Sequence, residues 1–342
     1  MSTAFLSNNK LRMKQSNENL VISVLKQLNT ATCAEISKAT GLSVATCGNI
    51  LKRLLDSNEV LEGKFESQSS GRPAKQYIYN ENFSLVVALT LHEENASCLL
   101  QYAIANLYGE ILEKETFKYE TITTTLLNDL IDKSQEKYPT IKAIGMGVPS
   151  VINQNGTIVS SDIEEINGMN LSDLICTKDY NIKTSINTSP SLSIYGYYKQ
   201  HPELKGKAIV SLICPNNLGA GIVVNDHIYN GDFSVGGEIN FIAQNFLKKY
   251  MPMEDINSRY LQDIMFSITA LLATINPTSI VLMGEDFSPE IYRELQSCCN
   301  ELFPSGFTPN LVHLSNYRDV YLNGAIQTAI DQLAPKVQLI EK

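Results

Sequence analysis

The chain has 342 residues, of which 44% are hydrophobic and 18% charged, with a formal net charge of −9. A chain of that length holds two or three domains with ordinary cores, which excludes a small scaffold stapled by disulfides or metal. No run of about 18 uncharged apolar residues is present to span a bilayer, so no membrane partner is expected.

Residues Met1 to Asn19 carry Lys10, Arg12 and Lys14 among Asn and Ser, without the apolar core of a secretory signal, and a cytoplasmic location is expected. From Asn19 to Leu28, apolar residues recur at Leu20, Val21, Val24, Leu25 and Leu28, the spacing of one helical face. Thr32, with Glu35 three residues on, makes a capping box for the helix AEISKAT, which presents Ile36 inward and stops at Gly41. Ser43 then caps a third helix, Val44 to Leu55, with Val44, Cys47, Ile50, Leu51, Leu54 and Leu55 as its buried stripe. Two helices joined by a short glycine-bearing turn form a helix-turn-helix, whose second helix is the recognition helix.

The solvent-side residues of that helix are the candidates for contact with DNA: Ser43, Ala45, Thr46, Asn49, Lys52 and Arg53. Asn suits adenine, Thr and Ala suit a thymine methyl, and the cations neutralise phosphate. Next, VLEGKFES and KQYIYN alternate like two strands around SSGRPA, which makes a wing. Arg72 and Lys75 sit on it, and an arginine held extended by a following proline can enter a narrow minor groove. Residues 1–80 are therefore expected to form a winged helix-turn-helix domain.

Charge agrees with that division. Up to Asn80 there are ten Lys and Arg against six Asp and Glu, a net +4, and the remaining seventeen against thirty give −13. A basic head on an acidic body is the balance of a module that faces phosphate joined to one that does not, with double-stranded operator DNA as the partner. From residue 81 to 342 apolar runs end in glycine-rich or polar turns, at SLVVALTL, SCLLQYAIAN, IKAIGMGVPS, KAIVSLI, NLGAGIVVN and TSIVLMGED, with a helix near Thr125 to Lys137. That pattern is α/β. The seven cysteines (Cys33, Cys47, Cys98, Cys176, Cys214, Cys298 and Cys299) include no CxxC pair, and His92, His201, His227 and His313 lie far apart, so no metal site and no disulfide is expected.

From about Asn19 to Ala334 the chain resembles the ROK family of bacterial repressors, open reading frames and sugar kinases. The resemblance rests on GLSVATCGNILKRL and SGRPAKQYIY in the head, and in the body on IGMGVPSVINQNGTI, LGAGIVVNDHIYNGDFSVGGEI, INPTSIVLMG and NGAIQTAI. It implies a two-lobed actin-like, ribonuclease-H-like sugar-kinase fold behind the winged helix, and a repressor of carbohydrate genes that answers to a sugar or sugar phosphate as homodimer or homotetramer. The family's enzymes need a base aspartate, glycine-rich phosphate loops and often zinc. Here Thr188 follows Asn187 in the aspartate's place, Thr90 to Glu94 stand at the first phosphate loop, Cys214 and Asn216 interrupt the second, and Phe241 replaces the zinc histidine. No catalysis, ATP cofactor or zinc is expected; the alternative is an ATP-dependent sugar kinase with an added DNA-binding domain. Asn187, Gly237 and Glu238 are the candidate effector contacts that the resemblance implies, with Glu165 and Asn167 as further candidates.

Overall fold

A computed structural model describes residues 2–66, 74–94, 97–175, 182–213, 218–231, 236–239, 256–304 and 306–333. They form two compact units, one of the described residues up to Ser84 with Asn106–Tyr108, the other of Leu85–Ala105 and Gly109–Leu333.

The first unit runs α1 (Ser2–Leu28), β1 (Thr30–Thr32), α2 (Cys33–Thr40), α3 (Val44–Asp56), β2 (Val60–Glu66) and β3 (Ala74–Tyr79). The strands pair antiparallel in the order β1-β3-β2. Its core is Val21, Leu25, Ile36, Cys47, Ile50, Leu51, Leu54 and Val60, each at most 3% exposed. Both halves of the Thr32–Glu35 capping box form, and Gly41 closes α2 at φ 71°, a left-handed conformation that a side chain would strain. Three details depart from the sequence reading. Helix α1 starts at Ser2, and Leu20 (41%) and Leu28 (48%) are exposed, leaving Val21, Val24 and Leu25 to carry its packing. Val44 is 56% exposed and Leu55 only half-buried. Val44 is the first residue of α3, so the helical spacing puts it in line with Cys47 but the described residues leave more than half of it exposed.

The second unit is built of two lobes that repeat one topology. The first lobe holds β4 (Leu85–Glu94), β5 (Ser97–Ala105), β6 (Ile111–Tyr119), α4 (Thr124–Lys137), β7 (Ile141–Val148), the hairpin β8 (Ser150–Ile152) and β9 (Ile158–Ser161), α5 (Leu171–Leu174) and β10 (Lys183–Thr188). Then come α6 (Ser189–Gln200), β11 (Ile209–Ile213), β12 (Gly219–Val224), β13 (His227–Ile228), α7 (Ile256–Thr274), β14 (Ser279–Met283), α8 (Pro289–Leu302), β15 (Asn310–Leu314) and α9 (Arg318–Leu333). The sheets are ordered β10-β7-β4-β5-β6 and β15-β14-β11-β12-β13. In each an antiparallel three-strand meander is extended by two parallel strands.

Helices α6 and α9 join the lobes. Helix α9 packs Tyr321, Leu322, Ala325, Ile326 and Ala329 on Val86, Ala88 and Ala143 of the first sheet, and α6 lies against β11 and β12 of the second. They cross backbone to backbone. A Cβ on Gly196 of α6 would stand 1.8 Å from the Val320 carbonyl oxygen, and one on Gly324 of α9 would stand 1.9 Å from that of Leu192. Both positions thus require glycine for close approach.

Candidate functional sites

In the first unit, the turn between α2 and α3 is fixed by hydroxyls. Ser37 Oγ donates to the Leu42 carbonyl at 2.6 Å, Thr40 Oγ1 donates to that of Ile36 at 2.7 Å, and the Leu42 N–H donates to Thr40 Oγ1 at 3.3 Å. Ser43 caps α3, its Oγ accepting from the Thr46 N–H at 3.1 Å and lying 2.8 Å from Thr46 Oγ1. Both hydroxyls are thereby engaged within the turn. Ser43, Ala45, Asn49, Lys52 and Arg53 are exposed and Thr46 is half-buried, so the helix presents them together as a face.

The cations of that face differ. Arg53 is paired with Glu18 of α1, and Lys75 of β3 with Glu62 of β2. Such exposed pairs are worth no more than about 1 kcal/mol each and exchange readily for phosphate. Lys52 is in no ion pair among the described residues. A depression of about 530 Å³ between α3 and the hairpin is lined by Lys52, Leu55, Asp56, Asn58, Val60, Leu61, Glu62 and Lys75. Two lysines against two carboxylates leave it without net charge, so it is not an anion pocket by itself. Arg72 lies outside the described residues.

In the second unit, the carboxyl ends of three parallel strands put Thr90, Gly147 and Asn187 side by side, since Thr90 pairs with Gly147 and Gly147 with Asn187. Ligands of α/β sheets settle at this edge. Asn187 Nδ2 donates to Ser185 Oγ at 3.0 Å. Thr188 turns the chain into α6 and donates to Ser191 Oγ at 3.0 Å, which donates to Asn230 Oδ1 at 3.2 Å. The Asn230 carbonyl accepts from Gly236 N–H at 2.9 Å, and Gly237, at φ 96°, returns its own carbonyl to the Ala220 N–H. A hydrogen-bonded chain therefore runs from Thr188, the residue after Asn187, to the turn carrying Glu238. Gly237 has a structural duty there, because a Cβ would lie 2.0 Å from the Ala220 carbonyl oxygen.

Burial pushes the Glu238 carboxyl up to about 7. Its folded pKa stands above the ordinary 4.5, so the stability it contributes is complete below about pH 4.5 and is lost as pH rises through about 7. Glu238→Gln should remove that loss. Urea unfolding should show the wild type weakening relative to the variant between about pH 5 and 8, by on the order of 1–2 kcal/mol; parallel curves would contradict the burial of this carboxyl.

Strand β4 continues regularly through Thr90, Leu91 and His92 to Glu94, in register with β5. Thr90 and His92 are buried, with Gln101 Oε1 3.4 Å from Thr90 Oγ1 and 3.2 Å from His92 Nε2. The ring of Tyr321 meets His92 edge-on at 4.9 Å and fills the space over Gly147, where a Cβ would come within 2.3 Å of it. Glu165 and Asn167 are exposed at the 3-10 turn Glu164–Ile166, and no hydrogen bond joins them to Asn187 or Glu238 among the described residues. Cys214, Asn216 and Phe241 lie outside the described residues. Among the described residues no group of three His, Cys, Asp or Glu is placed to hold a metal ion. No described helix is long and apolar enough to cross a membrane.

The sequence reading placed Val44 in the buried stripe and singled out neither Ser191 nor Asn230. Val44 could have been recognised from the cap at Ser43, since a residue directly after the cap precedes any covering turn. Nothing local links Asn230 to Ser191.

Residues 99–250 match the ROK family. The match spans 152 of the 342 residues, all but Asn106–Tyr108 within the second unit. A xylose repressor of Caldicellulosiruptor bescii is 24% identical over 248 residues, 70% of this chain and 61% of that protein, and one of Bacillus spizizenii is 22% identical over 242 residues, 68% and 62%. The chain thus spans about three fifths of the length of the curated relatives it matches. The crystal structure of a ROK family transcriptional regulator, a homologue of the E. coli MLC protein, aligns over 94% of this chain and 98% of its own with a TM-score of 0.69 at 17% identity. The fold is similar to that of this structure: amino-terminal helices and a small sheet, then a two-sheet α/β body.

Proposed function

We propose that the protein is a cytoplasmic DNA-binding transcriptional repressor of carbohydrate genes, whose ROK domain binds a sugar or sugar-derivative effector and does no catalysis. The observation that carries this reading is the capped α3, with Ala45, Asn49 and Lys52 exposed on one face in the basic part of the chain. Ser43, Thr46, Arg53, Arg72 and Lys75 complete the proposed DNA contacts, and residues 1–80 and 81–342 the proposed domains. The xylose-repressor relatives support the same class. One recognition helix covers half of a useful operator, and two half-sites roughly 34 Å apart need two copies, so the active species is a homodimer or a dimer of dimers.

Asn187 and Glu238 are the proposed effector contacts, Asn187 directly before Thr188 and Glu238 directly after Gly237, beside the two ends of the hydrogen-bonded chain through Ser191 and Asn230. Glu165 and Asn167, exposed, are secondary. Thr188 supplies a hydroxyl already donated to Ser191 where a kinase would need a proton acceptor, and a threonine takes no proton at neutral pH. An effector that prefers one arrangement of the two lobes by a few kcal/mol would release or capture the operator.

A coupled assay with hexoses, pentoses and their phosphates should show no sugar-dependent ATP turnover, while one or more of them raises the thermal midpoint. Ligand at 100 times its dissociation constant adds about 2.7 kcal/mol. Turnover would overturn the reading in favour of a sugar kinase.

A further inference from the structure

Among the described residues, helix α3 carries two side-chain positions that the packing of its own unit does not explain. Val44 is 56% exposed at the start of the helix. Gly48, one turn further on and hence on the same ridge, sits inside a helix, where glycine is the poorest ordinary residue. The body's crossing helices show what a required glycine looks like, with a carbonyl oxygen 1.8 or 1.9 Å from the added Cβ. A Cβ on Gly48 meets nothing within 4 Å among the described residues. None of those residues calls for the missing side chain.

The flanking groups narrow what could. Ser43 and Thr46 spend hydrogen bonds on each other and on the turn, which limits polar reading from the first turn. Asn49 and Lys52 are exposed beside the ridge, and the stretch up to Asn80 has net charge +4 against −13 for the rest, which suits a polyanion.

We propose that Val44 and Gly48 form a reading notch for duplex DNA in the major groove. The Val44 isopropyl group packs on the 5-methyl of a thymine, and the bare backbone at Gly48 lets the base edge and its sugar-phosphate approach the helix. Among the four bases only thymine offers an apolar group to that groove, so an exposed valine there discriminates by burying one methyl. The inference rests on the DNA-binding reading and goes beyond it, since it assigns a base preference to residues outside the polar face.

The test uses the full chain and a duplex selected from a random pool at fixed ionic strength. Each thymine of that duplex is replaced in turn by uracil, which removes only the methyl. For the wild type, one such replacement should weaken binding about fourfold, the worth of one buried methyl group. In Val44→Ala that uracil penalty should vanish. Gly48→Ala should raise the thermal midpoint by about 4 °C yet weaken the same duplex about tenfold, the usual loss for one specific contact. A uracil penalty that is absent everywhere or retained in Val44→Ala, or wild-type binding by Gly48→Ala, overturns the notch while DNA binding stands. Should the full chain select no duplex, or be retained by a protein partner through this ridge instead, the DNA-binding reading falls with it.

Discussion

Gly324→Ala should cost the second unit about 3 kcal/mol, one of the two largest effects expected. The new Cβ would stand 1.9 Å from the Leu192 carbonyl oxygen and 2.6 Å from its carbon, both backbone atoms of α6 that have no rotamer through which to yield. Alanine returns at most about 1 kcal/mol of helix propensity, whereas overpacking of a tight core costs about 1–3 kcal/mol and more where backbone must move. The steric term wins. Moving α9 is costly because Tyr321, Leu322, Ala325 and Ile326 are at most 1% exposed and anchor the first lobe. A urea midpoint equal to the wild type's would show that the crossing is looser than the structure has it. Gly196→Ala, against the Val320 carbonyl, should behave alike.

The second large effect is expected at Asn49. As an exposed amide it can both donate to and accept from adenine, while Asn49→Asp keeps the shape, loses the donor and adds a negative charge facing phosphate. Binding to a selected duplex should fall about 100-fold at fixed salt. The thermal midpoint should hold within experimental error, because exposed substitutions of this kind are usually within about 0.5 kcal/mol. Unchanged affinity would mean that the outer face of α3 does not meet DNA.

What could be read before the structure was what local chemistry decides. The caps at Thr32 and Ser43, the stop at Gly41 and the buried Cys47, Ile50, Leu51 and Leu54 each follow from residues a few positions apart. So do the body's strands, whose apolar runs end in turn residues. Strand β1 was not legible because three residues gain their pairing only from β3, and Val44 was not because periodicity tells which face a residue is on but not whether anything covers it. The pairing of Arg53 with Glu18, the meeting of His92 with Tyr321 and the fit of Gly324 against Leu192 join residues distant in the chain. Each decides a site. In the first a cation of the proposed DNA-binding face is already paired, in the second the carboxyl edge of the first sheet is packed, and in the third the lobes are joined. The candidate cleft was legible as residue types, at Asn187 and Glu238, but the hydrogen bonds that run from Thr188 through Ser191 and Asn230 to the turn of Glu238 were not.

The central claim, that α3 and its wing bind duplex DNA through phosphate and base contacts, is tested most directly by measuring affinity for a selected duplex across a salt series with the full chain and with Lys52→Ala. Binding should weaken by roughly 1000-fold or more between about 50 and 200 mM salt, and the variant should bind more weakly with a log–log slope shallower by about one. Affinity indifferent to salt, or a slope untouched by Lys52→Ala, would contradict it.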